Sequence, residues 1–433
     1  MELKIIKMGI NGEGIGYVDK KPVFVPKALP EEVVEVKIVE RKSHYFNAEL
    51  VKIKEASRYR INAVCDHQDE CGGCPLMVMK YNPQMKYKRE ILKQTLIKYA
   101  QINPELIEMM VPSKNNCYYR NSCKMPIQSV DGKLMCGMYQ AGSNRFVPIK
   151  RCLVHEKGLE RIRKEVLSVL NDCHLNAFDK KSQRGIRYLC IRGFNDKYQV
   201  TLVTGKEKLD EQVVERLISI KGLVSLYQNV NMDIKSVEIM SNQFRHLKGA
   251  KRLLFDIEGF KGALYPDSFF QLNTEQAMKM YQVVVDMLKP CDHLVEAYCG
   301  IGAMGIMAKD KATKVTGIDS IKDAVKNAEE NAYLNKAENV KFVCGDSGEM
   351  LAKMKEKVDA LIVDPPRTGL DETMMNALLE KNIPQVIYIS CNPATLAKNL
   401  EVLKEVYTIE RIVPVDVFPA TAKIETIVSL TKK

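Results

Sequence analysis

Ala360-Leu-Ile-Val-Asp-Pro-Pro-Arg367 and Val386-Ile-Tyr-Ile-Ser-Cys-Asn-Pro393 decide the fold of this 433-residue chain. Each stretch opens with four apolar residues, the pattern of a short strand buried on both faces of a parallel sheet. Each then ends in polar chemistry, an acid and an arginine around a Pro-Pro turn in the first, Ser390 and Cys391 in the second. In open α/β sheets, ligands bind outside the carboxyl ends of the strands. One cleft is therefore expected to collect Asp364, Arg367 and Cys391.

Upstream, His293 to Gly305 runs strand, glycine loop, helix, and Gly300-x-Gly302-x-x-Gly305 matches a dinucleotide-type fingerprint. Glycines let the backbone approach a ligand, and Asp319, ending the strand Val315–Ile318, is placed to accept hydrogen bonds from a ribose. A nicotinamide cofactor and S-adenosylmethionine share that contact. Acids on four successive strand ends (Glu296, Asp319, Asp346, Asp364) fit a methyltransferase better than a dehydrogenase. The sequence closes with two strands, Ile412–Val417 and Ile424–Leu430, expected to be antiparallel, with Glu425 opening the second. Residues 266–433 are thus predicted to form a Rossmann-like methyltransferase domain.

Cys391 indicates the kind of methyl transfer. Carbon C5 of a pyrimidine is a poor nucleophile, and a thiolate adding to C6 activates it, splitting one hard step into two. A base must then remove the C5 proton, and Glu425 is the candidate. A free thiol titrates near pH 8.5, so Cys391 needs a lowered pKa or a neighbouring base.

Residues 1–57 alternate in short strands (Val23–Val25, Val33–Val39, Tyr45–Ile53) between glycine turns, which predicts a small β-barrel. Arg41, Lys42, His44, Tyr45 and Phe46 interleave basic and aromatic groups as a nucleic-acid surface does. Next, Cys65-x5-Cys71-Gly-Gly-Cys74-Pro75 places three thiols on a flexible loop, and Cys152 is the candidate fourth. Four thiolates suit an iron–sulfur cluster; zinc and plain reduced cysteines are the other readings. His67, within the loop, is read as a satisfied polar residue. Tyr81–Tyr99 predicts a helix whose lysines (Lys86, Lys88, Lys93, Lys98) face solvent; a helix near 84–100 is expected to pack on the catalytic domain. Arg184, Arg187 and Arg192 flank a strand and are read either as RNA contacts or as solvated residues. Residues 58–265 are predicted to form a central α+β domain. Asn273 or Thr274 is the expected cap of a helix ending near Leu288.

Composition sets the bounds. A chain of this length exceeds one core, and its formal charge of +11 favours a polyanionic partner. No apolar run approaches a membrane span, and the start lacks a signal-peptide core, so a soluble, cytoplasmic protein is expected, with thirteen reduced cysteines. A monomer without a membrane partner is the expectation.

Taken together, the residues resemble the RNA uracil-C5 methyltransferase family across essentially the whole chain. Gly12-Glu-Gly-Ile-Gly16 and Val25-Pro-Lys-Ala-Leu-Pro30 resemble a TRAM domain, an RNA-binding barrel. Phe269-Phe-Gln-Leu-Asn273, Tyr298-Cys-Gly-Ile-Gly302, Asp364-Pro-Pro-Arg-Thr-Gly-Leu370, Tyr388-Ile-Ser-Cys-Asn-Pro393 and Phe418-Pro…Glu425 carry the rest. The resemblance implies Cys391 as nucleophile and Glu425 as base or O4-contacting acid. It implies Gln271, Tyr298, Gly300, Gly302, Asp319, Asp346 and Asp364 at S-adenosylmethionine, and a [4Fe–4S] cluster on Cys65, Cys71, Cys74 and Cys152. The substrate it implies is a uridine flipped out of RNA. Ribosomal RNA, of the 23S type, is expected because the family's tRNA branch lacks the barrel and the cysteines. Two positions depart from the family pattern: Ala420 and Lys423 stand where histidines are common, and Ala303 where an Asn is. A tRNA uridine or RNA cytosine-C5 methyltransferase, or a non-catalytic RNA-binding protein, are the other readings.

Overall fold

The computed structural model describes residues 1–433. It is a mixed α/β chain with an all-strand N-terminal part, built on three principal sheets and a two-stranded ribbon. At the N-terminus, strands Lys21–Val25, Val33–Arg41 and Phe46–Glu55 belong to a curled six-stranded sheet. Alternation turns Val23, Val25, Val34, Val36 and Ala48 inward to a small core of their own. The central region is a seven-stranded sheet backed by helices Lys157–Asp172 and Glu211–Ile218 around a separate core.

The C-terminal sheet positions the chemistry. Its strands are β1 (Cys291–Ala297), β2 (Ala312–Asp319), β3 (Val340–Cys344), β4 (Ala360–Val363), β5 (Gln385–Ser390), β6 (Tyr407–Val415) and β7 (Glu425–Lys432), in the order β3-β2-β1-β4-β5-β7-β6. The first five are parallel, and β7 runs antiparallel between β5 and β6. The order reverses between β1 and β4, and at such a switch point the loops diverge and open a crevice.

Helix α1 (Tyr81–Ala100) lies far upstream in sequence but belongs to this sheet. Its Ile91, Leu92, Leu96 and Ala100 share one core with Val295, Leu361, Val386 and Val428. Each such fully buried Leu or Ile contributes about 1.5–3 kcal/mol, so the apolar face alone suffices to dock the helix. Pro83 is tolerated because it falls in the first turn, and Gln101 ends the helix in the left-handed region at φ +54.

Two expectations need correction. Lys86 and Lys98 face solvent, but Lys88 is wholly buried. Its partner Asp416 is 328 residues away, beyond the reach of any local pattern. Arg192 is neither solvated nor free for RNA: its guanidinium donates to the carbonyls of Ser268 at 2.6 Å and Tyr265 at 3.3 Å. It thereby ties the central sheet to the start of the C-terminal part. Arg187 likewise donates to the Asn231 carbonyl at 2.6 Å, and Arg184 pairs with Glu207 at 3.2 Å.

Candidate active site

The β5–β7 register pairs Ser390 with Thr426. One residue further, Cys391 leaves β5 beside the point where Glu425 starts β7. The loops after β4 and β5 are stitched together. Asn392 caps the helix Pro393–Leu403 by accepting from the Ala394 amide at 3.1 Å, while its side-chain amide donates to the Arg367 carbonyl at 3.1 Å. Asn399 Oδ1 accepts both the Leu370 amide at 3.1 Å and the Tyr388 hydroxyl at 2.8 Å. Asp364, Arg367, Cys391 and Glu425 therefore meet at one crevice.

Charge in that crevice is crowded. Burial pushes the Asp364 carboxyl up to about 7. Glu425 is raised well above the usual carboxylate range by burial and by Asp364, with Arg367 opposing. The Cys391 thiol is pushed up to about 11, first by burial and then by Glu425 and Asp364, and Arg367 again opposes. Cys391 is thus a neutral thiol at rest, and becoming a nucleophile requires a proton acceptor within the site. The buried hydroxyl of Tyr281, on helix α2 (Thr274–Met287), faces the same carboxyls and is raised by burial, then by Asp364. Tyr281 sits in an ordinary helical stretch, and no local motif marks it out.

Across the switch point, the glycine loop is shaped for a ligand. Tyr298, Gly300 and Gly302 all have positive φ, at +59, +52 and +76. A Cβ on Gly300 would meet nothing within 4 Å, so the loop presents open backbone, whereas Gly302 is packed against Phe342. Asp319 accepts the Gly300 amide at 2.9 Å and the Ile321 amide at 2.8 Å. These bonds fix its carboxylate at the strand end and leave lone pairs for a ribose. Asp346 caps the next helix through the Glu349 amide at 2.9 Å and is exposed. The apolar side chains of Ile321 and Val343 stand exposed beside these two acids, a surface on which a purine ring can stack. Gln271 is nearly buried, and its carbonyl accepts from Asn121 at 2.8 Å. The loop thus combines an open glycine front, an anchored acid and an apolar shelf, and these fit an adenosyl cofactor.

Glu296 lies behind the loop, fully buried. One oxygen accepts the Gly305 amide at 2.9 Å and the other has no partner.

Cys65, Cys71, Cys74 and Cys152 line a single cavity of about 100 Å³ together with Met77, Met125 and Met138. No group of three or more His, Cys, Asp or Glu side chains in the chain is arranged to hold a metal ion. His67 accepts the Lys150 amide at 3.1 Å, a satisfied polar role. Two features here escaped the sequence reading. Cys117 packs, with Cys65, Cys74 and Cys152, against the small cluster of Met77, Tyr119, Val154 and Ala420. His155 and Arg163 both bind Glu160, at 2.8 Å each, in a buried polar group next to Cys152.

The glycine-loop acid has a measurable consequence. Burial raises Glu296 from 4.5 to about 8, so the folded protein holds a proton that the unfolded chain releases above about pH 4.5. This stabilisation is complete below about pH 4.5 and is lost as pH rises through about 8. Glu296→Gln is expected to flatten the decline of urea-unfolding free energy between about pH 5 and about pH 8. Parallel declines in variant and parent would mean that Glu296 is ionised when folded.

Comparison with known proteins agrees with this geometry. A family model described as tRNA (Uracil-5-)-methyltransferase matches residues 80–433, and a TRAM domain model matches residues 1–51. An "Uncharacterized RNA methyltransferase" of Enterococcus faecalis is 36% identical, covering 100% of this chain and 98% of the relative. One of Lactobacillus johnsonii is 35% identical, covering 99% and 96%. The solved structure of Pyrococcus abyssi tRNA (uracil-54, C5)-methyltransferase with S-adenosyl-L-homocysteine covers 100% of both chains, with a TM-score of 0.80 at 24% identity, and shares the fold. The chain belongs to the RNA uracil-C5 methyltransferase family and is an S-adenosylmethionine-dependent RNA methyltransferase.

Proposed function

We propose that this enzyme methylates C5 of a uridine in RNA through a covalent adduct on Cys391. The observation that carries the reading is the β5–β7 register, which delivers Cys391 and Glu425 to one crevice beside Asp364. The Cys391 thiol gives its proton to the Asp364 carboxylate, leaving Glu425 unprotonated for the later step, and the sulfur adds to C6 of the flipped base. The C5–C6 π electrons move toward O4, making C5 nucleophilic. S-adenosylmethionine, when bound, supplies the electrophilic methyl group. Glu425 then takes the C5 proton, and the returning electron pair expels the Cys391 thiolate and restores the ring. A base whose pKa is raised is suited to that task near neutral pH. Gln271, Tyr298, Gly300, Gly302, Asp319, Asp346 and Asp364 hold the cofactor in this reading.

For the RNA, 23S ribosomal RNA is the first reading, on the four-cysteine loop. Transfer RNA is the second, because the P. abyssi enzyme, which is named for tRNA, covers the entire chain. The barrel therefore does not separate the two RNA classes as expected. The soft, all-thiol character of Cys65, Cys71, Cys74 and Cys152 lining one cavity supports a [4Fe–4S] cluster by donor type alone, since the thiols are not disposed as metal ligands in this structure. In this reading the enzyme acts as a cytoplasmic monomer. No helix is long and apolar enough to cross a membrane.

RNA labelled with tritium at uridine C5 tests the reaction. Tritium release equal to methyl incorporation, lost in Cys391→Ala, is expected, with 23S RNA and tRNA offered in separate reactions. Methyl incorporation without release would place the methyl on another atom. Anaerobically purified protein is expected to contain iron and acid-labile sulfide in equal amounts, and stoichiometric zinc in their place would contradict the cluster.

A further inference from the structure

Asp416–Ile424 carries the chain into Glu425 and is gripped from several sides. Gln276 donates to the Asp416 carbonyl at 3.1 Å, Asn273 to the Val417 carbonyl at 3.1 Å, and the Tyr119 hydroxyl to the Pro419 carbonyl at 3.0 Å. Ala420 is held at φ +63, which is unfavourable for a residue with a Cβ. Both of its backbone groups are engaged: its amide donates to Gln84 Oε1 at 2.9 Å, and its carbonyl accepts the Leu76 amide at 2.9 Å.

Gln84 is the bridge. The same buried side chain that receives Ala420 donates through Nε2 to the carbonyls of Leu76 at 3.1 Å and Met79 at 2.8 Å. Leu76 lies two residues past Cys74, so one amide joins the cysteine loop to the segment in front of Glu425. One turn along α1, the Lys88 ammonium, 0% exposed, bonds Asp416 Oδ1 at 2.6 Å and the Phe418 carbonyl at 3.0 Å. Tyr81, on the same helix face, donates its hydroxyl to Asp416 Oδ2 at 2.7 Å and accepts the Ser113 amide at 2.7 Å.

An all-apolar contact would dock α1 equally well, and buried ion pairs are often no more stabilising than apolar replacements. What the polar contacts add is a defined position for the loop. The β5–β7 register places Cys391 and Glu425 at one crevice; the Asn392 and Asn399 bonds hold the Cys391 side, and the Asp416–Ile424 segment holds the approach to Glu425. Resting on the covalent reading above, we propose that Gln84 and Lys88 are positioning residues for Glu425, and that through Gln84 the cysteine loop governs the step that resolves the RNA adduct.

Rapid quenching on denaturing gels, with full-length enzyme and unmodified RNA, separates adduct formation from adduct resolution. Gln84→Ala and Lys88→Met are expected to form the adduct within about 2-fold of the parent rate and resolve it about 10- to 100-fold more slowly, the scale of a catalytic group misplaced by an ångström. Adduct should accumulate, and Lys88→Arg should restore much of the resolution rate. Resolution at the parent rate, or an equal loss of both steps, would overturn the proposal. If Lys88→Met fails to fold, Gln84→Ala, which strips no charge, carries the test. A parent enzyme that gives no adduct even on 5-fluorouridine RNA would instead overturn the covalent reading, so the two failures are distinguishable.

Discussion

The antiparallel insertion of Glu425–Lys432 between Gln385–Ser390 and Tyr407–Val415 is the constraint on which the site depends. A strand register admits only steps of one residue, and each step turns every side chain to the opposite face. With Ser390 across from Thr426, Val386 faces Leu430 and Tyr388 faces Val428, all of them in one core. The apolar packing that stabilises the sheet therefore also fixes where Cys391 and Glu425 meet. A one-residue slip would turn Ser429 and Glu425 to the face now held by Val428 and Leu430 and would separate Glu425 from Cys391.

The cost of the site is electrostatic. Glu296, Asp364, Glu425 and the Tyr281 hydroxyl share a poorly hydrated region, with Arg367 the cation acting on Glu425 and Cys391. Burial first, and for Glu296 and Glu425 a neighbouring acid as well, disfavours the ionised form, which is why these pKa values rise together. The same shift supplies groups able to exchange protons near neutrality. Stability and proton transfer thus draw on one arrangement.

Much of this was legible in the sequence because the catalytic strands are short apolar runs ending in polar motifs. Ala360–Val363 appeared as expected, and the glycine loop and the closing strand pair fell within a few residues of their expected places. Asn273 does cap its helix, through the Gln276 amide at 3.3 Å. What escaped were polar residues whose partners lie far along the chain. Lys88 looked like one more solvated lysine because nothing near it in sequence names Asp416. Gln84 carried no signal, since its three partners are backbone groups of other segments. Arg192 stayed open between an RNA contact and a solvated residue because a strand-flanking arginine looks the same whether its acceptors are phosphates, water or carbonyls.

The central claim is that Cys391 bonds to the base, and the most direct measurement is a trapped intermediate. RNA carrying 5-fluorouridine cannot lose fluorine as it would a proton, so the complex should stall after methyl transfer. Digestion and mass spectrometry should then find one methylated fluorouridine attached to the peptide containing Cys391. Attachment at another residue, or full methylation of ordinary RNA with no trapped adduct, would contradict the account.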